Sequence, residues 1–300
     1  MLFGLVELHV DLTGLTAPGQ PEAVMAGVRR DTRRAETVRA AVGHALRLGC
    51  AFVVLPGWTL VADEPPAWLL SLSAGVIVVA ECLRPDGASR RAVGRVKGQA
   101  RQPRVKGGPT ADDEAGPVWH GYVLHDGRVV VGPARQCFAE ADEVCDGDEL
   151  SAAGAELIGQ LLADAPAGRR WAAPGVGPAL LLLCGEVGVV GGRGGCWHRD
   201  AVTRAGLSEA ALWSPRLVVN PAHTWTRLQP MRDKRSWLSL SGLLLHTANT
   251  HSAGWRKGPG EDAVAGQASH TARAWADGEP AELDAHAGDG YAILTLEWGP

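Results

Sequence analysis

Three features of the sequence predict a layered α/β fold. Apolar runs and helical patterns alternate over residues 3–80 as strand, helix, strand, helix, strand. The runs Phe52-Val53-Val54-Leu55, Leu181-Leu182-Leu183 and Leu217-Val218-Val219 are apolar at consecutive positions, so both faces of those strands must be covered. Each run ends at a breaker: Pro56-Gly57, Cys184-Gly185 and Asn220-Pro221.

The first strand is Phe3 to Val10, followed by a loop containing Pro and Gly through Pro21. A helix is predicted over Thr32 to Leu48, with Asp31 or Thr32 as N-cap and an apolar stripe of Val38, Ala41, Val42, Ala45 and Leu46. Gly49 ends it, and Ala51 to Leu55 is the next buried strand. A short helix at Ala67 to Leu72 leads into a third strand, Gly75 to Ala80. Residues 83–117 are rich in Arg, Gly, Pro, Lys and Asp, which predicts a long surface excursion within a single domain spanning 1–300.

After it, Val118 to Leu124 and Arg128 to Val131 flank Asp126-Gly127, a two-residue hairpin signal, and the second strand leads to Arg135-Gln136-Cys137-Phe138. A helix over Ala152 to Ala163 precedes the leucine strand. The glycines of Gly188 to Gly195 match neither a phosphate loop nor a dinucleotide fingerprint and predict a turn. Beyond them come the strand Leu217 to Pro221, a helix beginning in Met231 to Leu244, a strand-like segment ending His246-Thr247-Ala248-Asn249, and a hairpin around Asp277-Gly278. The last predicted strand is Tyr291 to Leu296.

Composition narrows the function. A net charge of -4 gives no reason to expect nucleic acid as a partner, and no apolar run is long enough to span a bilayer. The six cysteines form no CxxC pair and no zinc-ligand spacing, so neither a metal nor a cofactor is expected. With no leader-like N-terminal pattern, the expectation is a cytoplasmic protein with reduced thiols.

Chemistry concentrates at Cys184. The leucine strand delivers it to the point where the glycines begin, and Gly185 allows a tight turn that directs its own amide toward whatever the sulfur attacks. The plainer reading is a buried thiol, because free cysteine is among the most buried residue types.

The order of Phe52-Val53-Val54-Leu55-Pro56, the Asp126-Gly127 hairpin, Leu183-Cys184-Gly185-Glu186, Val218-Val219-Asn220-Pro221-Ala222-His223 and Thr247-Ala248-Asn249 resembles the nitrilase superfamily of carbon-nitrogen hydrolases. The resemblance covers nearly the whole chain. It implies a four-layer α-β-β-α sandwich of two mixed β-sheets, and homodimerisation through residues near Trp197 and Trp237. It also implies a catalytic triad of a glutamate after the Pro of the second strand, a lysine after the hairpin, and the cysteine.

Cys184 matches the nucleophile, with Gly185 supplying the oxyanion amide. Gly57 stands at the glutamate position, and Gln136, or Arg135 with a shift of one, at the lysine position. The four lysines are Lys97, Lys106, Lys234 and Lys257, none of them there. Glu140 or Glu143 resembles an additional pocket glutamate of the family, Glu64 lies in a nearby loop, and Glu186 has a structural role by resemblance.

Two functions follow. The first is a non-catalytic or repurposed binding or regulatory protein, a pseudoenzyme that keeps the pocket cysteine and binds a small molecule. The second is a thiol-dependent hydrolase of amides, nitriles or carbamoyl groups with a rearranged base. General-base assistance contributes on the order of 10²–10⁴-fold and an oxyanion donor on the order of 10²–10³-fold, so losing both favours the first. A further reading pairs Cys184 with His198, His223 or His251, without a local cysteine-protease signature.

Overall fold

The structure is a computed structural model that describes residues 1–15, 21–85, 119–137, 145–146, 149–150, 168–189, 215–223, 238–239, 242–251 and 270–299, with 152, 156 and 161. The strands are β1 (Leu2–Val10), β2 (Phe52–Val54), β3 (Leu60–Val61), β4 (Ile77–Leu83), β5 (Trp119–His125), β6 (Arg128–Arg135), β7 (Cys145–Asp146), β8 (Glu149–Leu150) and β9 (Arg170–Ala173). They continue as β10 (Gly177–Leu181), β11 (Leu217–Ala222), β12 (Leu243–Ala248), β13 (Thr250–His251), β14 (Arg273–Ala276), β15 (Glu279–Pro280), β16 (Asp284–Gly288) and β17 (Tyr291–Glu297). The described helices are α1 (Pro21–Arg30), α2 (Arg34–Arg47) and α3 (Ala67–Leu72).

Two mixed sheets result. The nine-stranded sheet runs β16-β17-β1-β2-β4-β5-β6, with β13 on β1 and β3 on β4. Its centre, β1-β2-β4, is parallel, while β17 and β5 join antiparallel. The six-stranded sheet runs β15-β14-β12-β11-β10-β9, with β10, β11 and β12 parallel. A small hairpin, β7-β8, stands apart from both sheets.

Side-chain alternation stacks the sheets. Phe3, Leu5, Phe52, Val54, Ile77 and Val79 from the large sheet share one buried cluster with Ala179, Leu181, Leu217, Val219, Leu243 and Leu245 from the small one. The residues between them point the other way: Val6, Leu8, Val53, Leu55, Val78 and Ala80 pack against Val38, Ala41, Val42 and Ala45 of α2 and Leu69 of α3. Period-2 alternation thus serves two cores at once, which explains why these runs are apolar at nearly every position.

Several expectations shift. The loop expected through Pro21 gives way at that residue to α1, because Pro fits a first helical turn. The α2 helix begins at Arg34, not Thr32, and its N-cap Arg33 makes no side-chain cap. Asp31 instead accepts a bond from the Arg33 amide at 3.0 Å, a turn that precedes the helix. The third strand continues through Leu83, β10 stops at Leu181, and Leu243 and Leu244 belong to β12 and not to a helix. Trp197, Trp237, His198 and nearly all of 83–117 and 152–163 lie outside the described residues, as do Glu140 and Glu143. No described helix is long and apolar enough to cross a membrane.

Candidate active site

Parallel strands of the two stacked sheets bring their carboxyl ends to one place, where α/β sheets bind ligands. The segment after β2 carries Pro56-Gly57-Trp58, β4 carries Glu81 near its end, and Cys184 follows β10. His223 follows β11, and Asn249 follows β12.

Cys184 opens a 3-10 turn over Cys184–Val189, and its φ of 45° lies in the left-handed region. For a non-glycine residue such a backbone costs on the order of 1–3 kcal/mol and persists only where its surroundings enforce it. Asn220 is one enforcer, donating to the carbonyls of Leu182 (2.7 Å) and Cys184 (3.0 Å). Glu186 is the other, accepting from the amides of Leu183 (2.7 Å) and Cys137 (2.6 Å) while paired with Arg169 at 2.6 Å. Burial pushes the Glu186 carboxyl up, and the Arg169 guanidinium and these amides pull it back. The structural role implied for Glu186 is therefore visible as bonds that tie the turn to the end of β6.

Cys184 lies beside His223, close enough to raise the proton affinity of the imidazole. His223 Nε2 donates to Glu81 Oε2 at 2.8 Å, which leaves Nδ1 as the nitrogen available to the sulfur. Glu81 is fully buried and its Oε2 also accepts from the Trp58 amide at 2.5 Å. The arrangement is a thiol, an imidazole that can take its proton, and a carboxylate that orients the imidazole, the pattern of an activated nucleophile. Burial alone lowers the proton affinity of His223, but Glu81, Cys184 and the bonds to both outweigh it and raise its pKa to about 10.

Gly57 explains how this fits where a family glutamate is expected. A Cβ at position 57 would lie 2.5 Å from His223 Cδ2, 2.8 Å from the Ala222 carbonyl carbon and 2.9 Å from Glu81 Oε2. The space that a side chain at 57 would enter holds the imidazole and a carboxylate from the neighbouring strand. Gly57 itself has no proton to move.

Aromatic rings enclose His223. Trp58, with φ 51°, stacks on His223 at 4.0 Å between centroids and 6° between planes, and Trp119 meets the same ring edge-on at 5.1 Å. These rings help to bury the His223 imidazole. Trp119 Nε1 donates to Gln136 Oε1 at 3.0 Å, so Gln136 is joined to this cluster through a neutral amide. Arg135 contributes only its carbonyl among these bonds, accepting from Arg169. Glu64 is exposed in its loop and joins none of the bonds described here.

Glu81 is not singled out by the sequence, where His223 stands only as one of three histidines that could pair with Cys184. The signal for Glu81 was an acid inside the apolar run Ile77-Val78-Val79-Ala80-Glu81-Cys82-Leu83, on the face that looks between the sheets. A buried carboxylate needs a partner, and His223 at the exit of Val218-Val219-Asn220-Pro221-Ala222 provides it. Among the described residues no group of His, Cys, Asp and Glu is placed to hold a metal ion.

No protein-family model matches the chain, and no curated protein matches it in sequence. Solved structures do. One is the NitN amidase from Neterenkonia sp. AN1, at 11% identity, covering 99% of this chain and 92% of that one with a TM-score of 0.43. Another is a mutant of the amidase from Nesterenkonia sp. AN1 showing covalent addition of the acetamide moiety of fluoroacetamide at the active-site cysteine, at 12% identity, 99% and 90% coverage and TM-score 0.41. The C. elegans NitFhit protein is 9% identical, with 99% and 60% coverage and TM-score 0.46. The described strands themselves form two mixed sheets, the α/β class that the sequence predicts.

Proposed function

We propose that this protein is a thiol-dependent acyl-transfer enzyme acting on carboxamides, with Cys184 as nucleophile, His223 as general base and acid, and Glu81 orienting His223. The observation that carries the reading is the Cys184–His223–Glu81 series at the joined strand ends, with the His223–Glu81 bond at 2.8 Å. His223, its proton affinity raised, holds the proton taken from the thiol before attack; sulfur attacks the carbonyl carbon as the thiolate, and a C–S bond forms. The oxygen gains the negative charge, and the Gly185 amide is the donor next to the nucleophile. Collapse breaks the C–N bond, with the imidazolium giving its proton to the leaving amine. Water then attacks the thioester with His223 as base, which releases the acid and restores the thiol.

Gln136 supports a second reading, a non-catalytic binding or regulatory protein. A neutral amide in place of a lysine ammonium weakens charge stabilisation at the oxyanion. Its ligand would then be a small molecule of the same carboxamide type.

Iodoacetamide labelling of Cys184 from pH 5 to 10, beside release of ammonia from simple amides, separates the two. The catalytic reading expects Cys184 to outpace a free thiol at pH 6. It also expects His223→Gln to reduce turnover on the order of 10²–10⁴-fold and Cys184→Ala to abolish it. Labelling that follows a free thiol at every pH, with no ammonia released, overturns it in favour of the binding protein.

A further inference from the structure

Two buried asparagines stand behind the reacting pair and repeat one arrangement. Asn220 donates its Nδ2 protons to the carbonyls of Leu182 at 2.7 Å and Cys184 at 3.0 Å. Asn249 donates to the carbonyls of Gly57 at 2.7 Å and His223 at 2.9 Å. Both residues are fully buried. Two carbonyl acceptors on each amide fix its orientation, so each Oδ1 must accept.

For Asn220 the donor is His246 Nδ1 at 2.7 Å, from its register partner on β12. That assignment places a proton on His246 Nδ1. For Asn249 the donor is the Arg34 guanidinium at 2.5 Å. Arg34 is itself buried at the start of α2 and also donates to the carbonyls of Thr59 at 3.0 Å and Trp58 at 3.1 Å. Burial lowers its proton affinity, to a pKa of about 10, yet it remains a cation at neutral pH.

The two amides have different targets. Asn220 holds the carbonyls on both sides of Leu183, within the turn that keeps Cys184 at φ 45°. Asn249 joins the segment after β2 of the large sheet to the segment after β11 of the small sheet. A parallel bond from the Gly57 amide to the Ala222 carbonyl, 2.9 Å, closes the same junction. His223 and its Trp58 cover are therefore set by Asn249 and Arg34, while the nucleophile is set by Asn220 and His246.

Resting on the catalytic reading above, we infer that Asn220 and Asn249 are paired positioning residues, Asn220 for the attack geometry of Cys184 and Asn249 for the placement of its base His223. Neither touches the reacting atoms. Each acts through the backbone of the residue that does.

The test is the pH–rate profile of Cys184 alkylation in Asn220→Asp and Asn249→Asp, variants that keep the shape but turn donors into acceptors against carbonyl oxygens. Asn220→Asp is expected to lower the maximal rate by about tenfold or more while the profile keeps its position on the pH axis. Asn249→Asp is expected to move the profile toward that of a free thiol, as His223→Gln does. Should either fail to fold, His246→Phe replaces the first and Arg34→Lys the second: both leave the asparagines in place, the first removing the donor to Asn220 Oδ1 and the second altering the donor to Asn249 Oδ1 together with the bonds to the Thr59 and Trp58 carbonyls. Folded variants with wild-type rate and profile, or two variants with the same change, overturn the division of roles. A wild-type profile already matching a free thiol overturns the catalytic reading instead, so the two failures are distinct.

Discussion

At the scale of single residues, the site depends on a glycine and a histidine that exchange space. An alanine at 57 brings its Cβ to 2.5 Å from the His223 ring and 2.8 Å from the Ala222 backbone, and backbone gives way less readily than a side chain. Gly57→Ala is expected to destabilise the protein by about 1–3 kcal/mol, as overpacking does, and to slow Cys184 labelling by displacing His223. Urea melts beside the labelling rate check both. His223 also carries a pH signature. Its folded pKa is raised from 6.5 to about 10, chiefly by Glu81 and Cys184 against the opposing effect of burial. A raised histidine contributes stability that is fully present below its unfolded pKa and lost as pH rises through the folded one. Stability should therefore fall between about pH 6.5 and pH 10, and His223→Gln should flatten that slope; urea midpoints across the range measure it.

At the scale of elements, the turn after β10 is fastened to the end of β6 by Arg169 and Glu186, whose side chains are 1% and 0% exposed. Arg169 donates to Glu186 Oε2 at 2.6 Å, to Oε1 at 2.9 Å and to the Arg135 carbonyl. Removing one partner of a buried pair leaves an uncompensated charge, so Arg169→Met is expected to cost about 3–5 kcal/mol in urea unfolding. It should also loosen the Cys184 turn, since Glu186 holds the Leu183 amide. The hairpins behave as their turn residues require: Asp126 and Asp277 adopt φ of 51° and 50° before glycines at 73° and 87°, the conformation that joins β5 to β6 and β14 to β15. These turns were legible in Asp-Gly alone. The strand β9 and the helix α1 were not, because Arg170-Trp171-Ala172-Ala173 lacks a clear alternation and α1 begins inside a Pro/Gly loop.

At the scale of the whole molecule, the sheets are held by one cluster drawing on strands from β1 to β17. Leu181 is fully buried in it, packed where both sheets contribute. Leu181→Ala is expected to cost about 2–5 kcal/mol through the lost burial and the cavity left behind. Because the cluster is shared, backbone signal and tryptophan fluorescence should report its unfolding at one urea midpoint; separate transitions for the two sheets would show that the stack is not cooperative.

The sequence by itself determined the α/β class, the buried strands, the Asp-Gly turns and the delivery of Cys184 to a strand exit, because each depends on residues close together in the chain. It also determined that positions 57 and 136 hold neither glutamate nor lysine. What stands around Gly57 was decided only by tertiary structure. Glu81 and His223 are 142 positions apart, Glu81 on a strand of the large sheet and His223 just after a strand of the small one, and each taken alone reads as an ordinary strand acid or loop histidine. Stacking the sheets with their parallel strand ends together makes them partners, and the missing side chain of Gly57 leaves the volume in which they meet. Local patterning fixes which face of a strand is buried; only the packing of one face on another fixes what a buried carboxylate finds there.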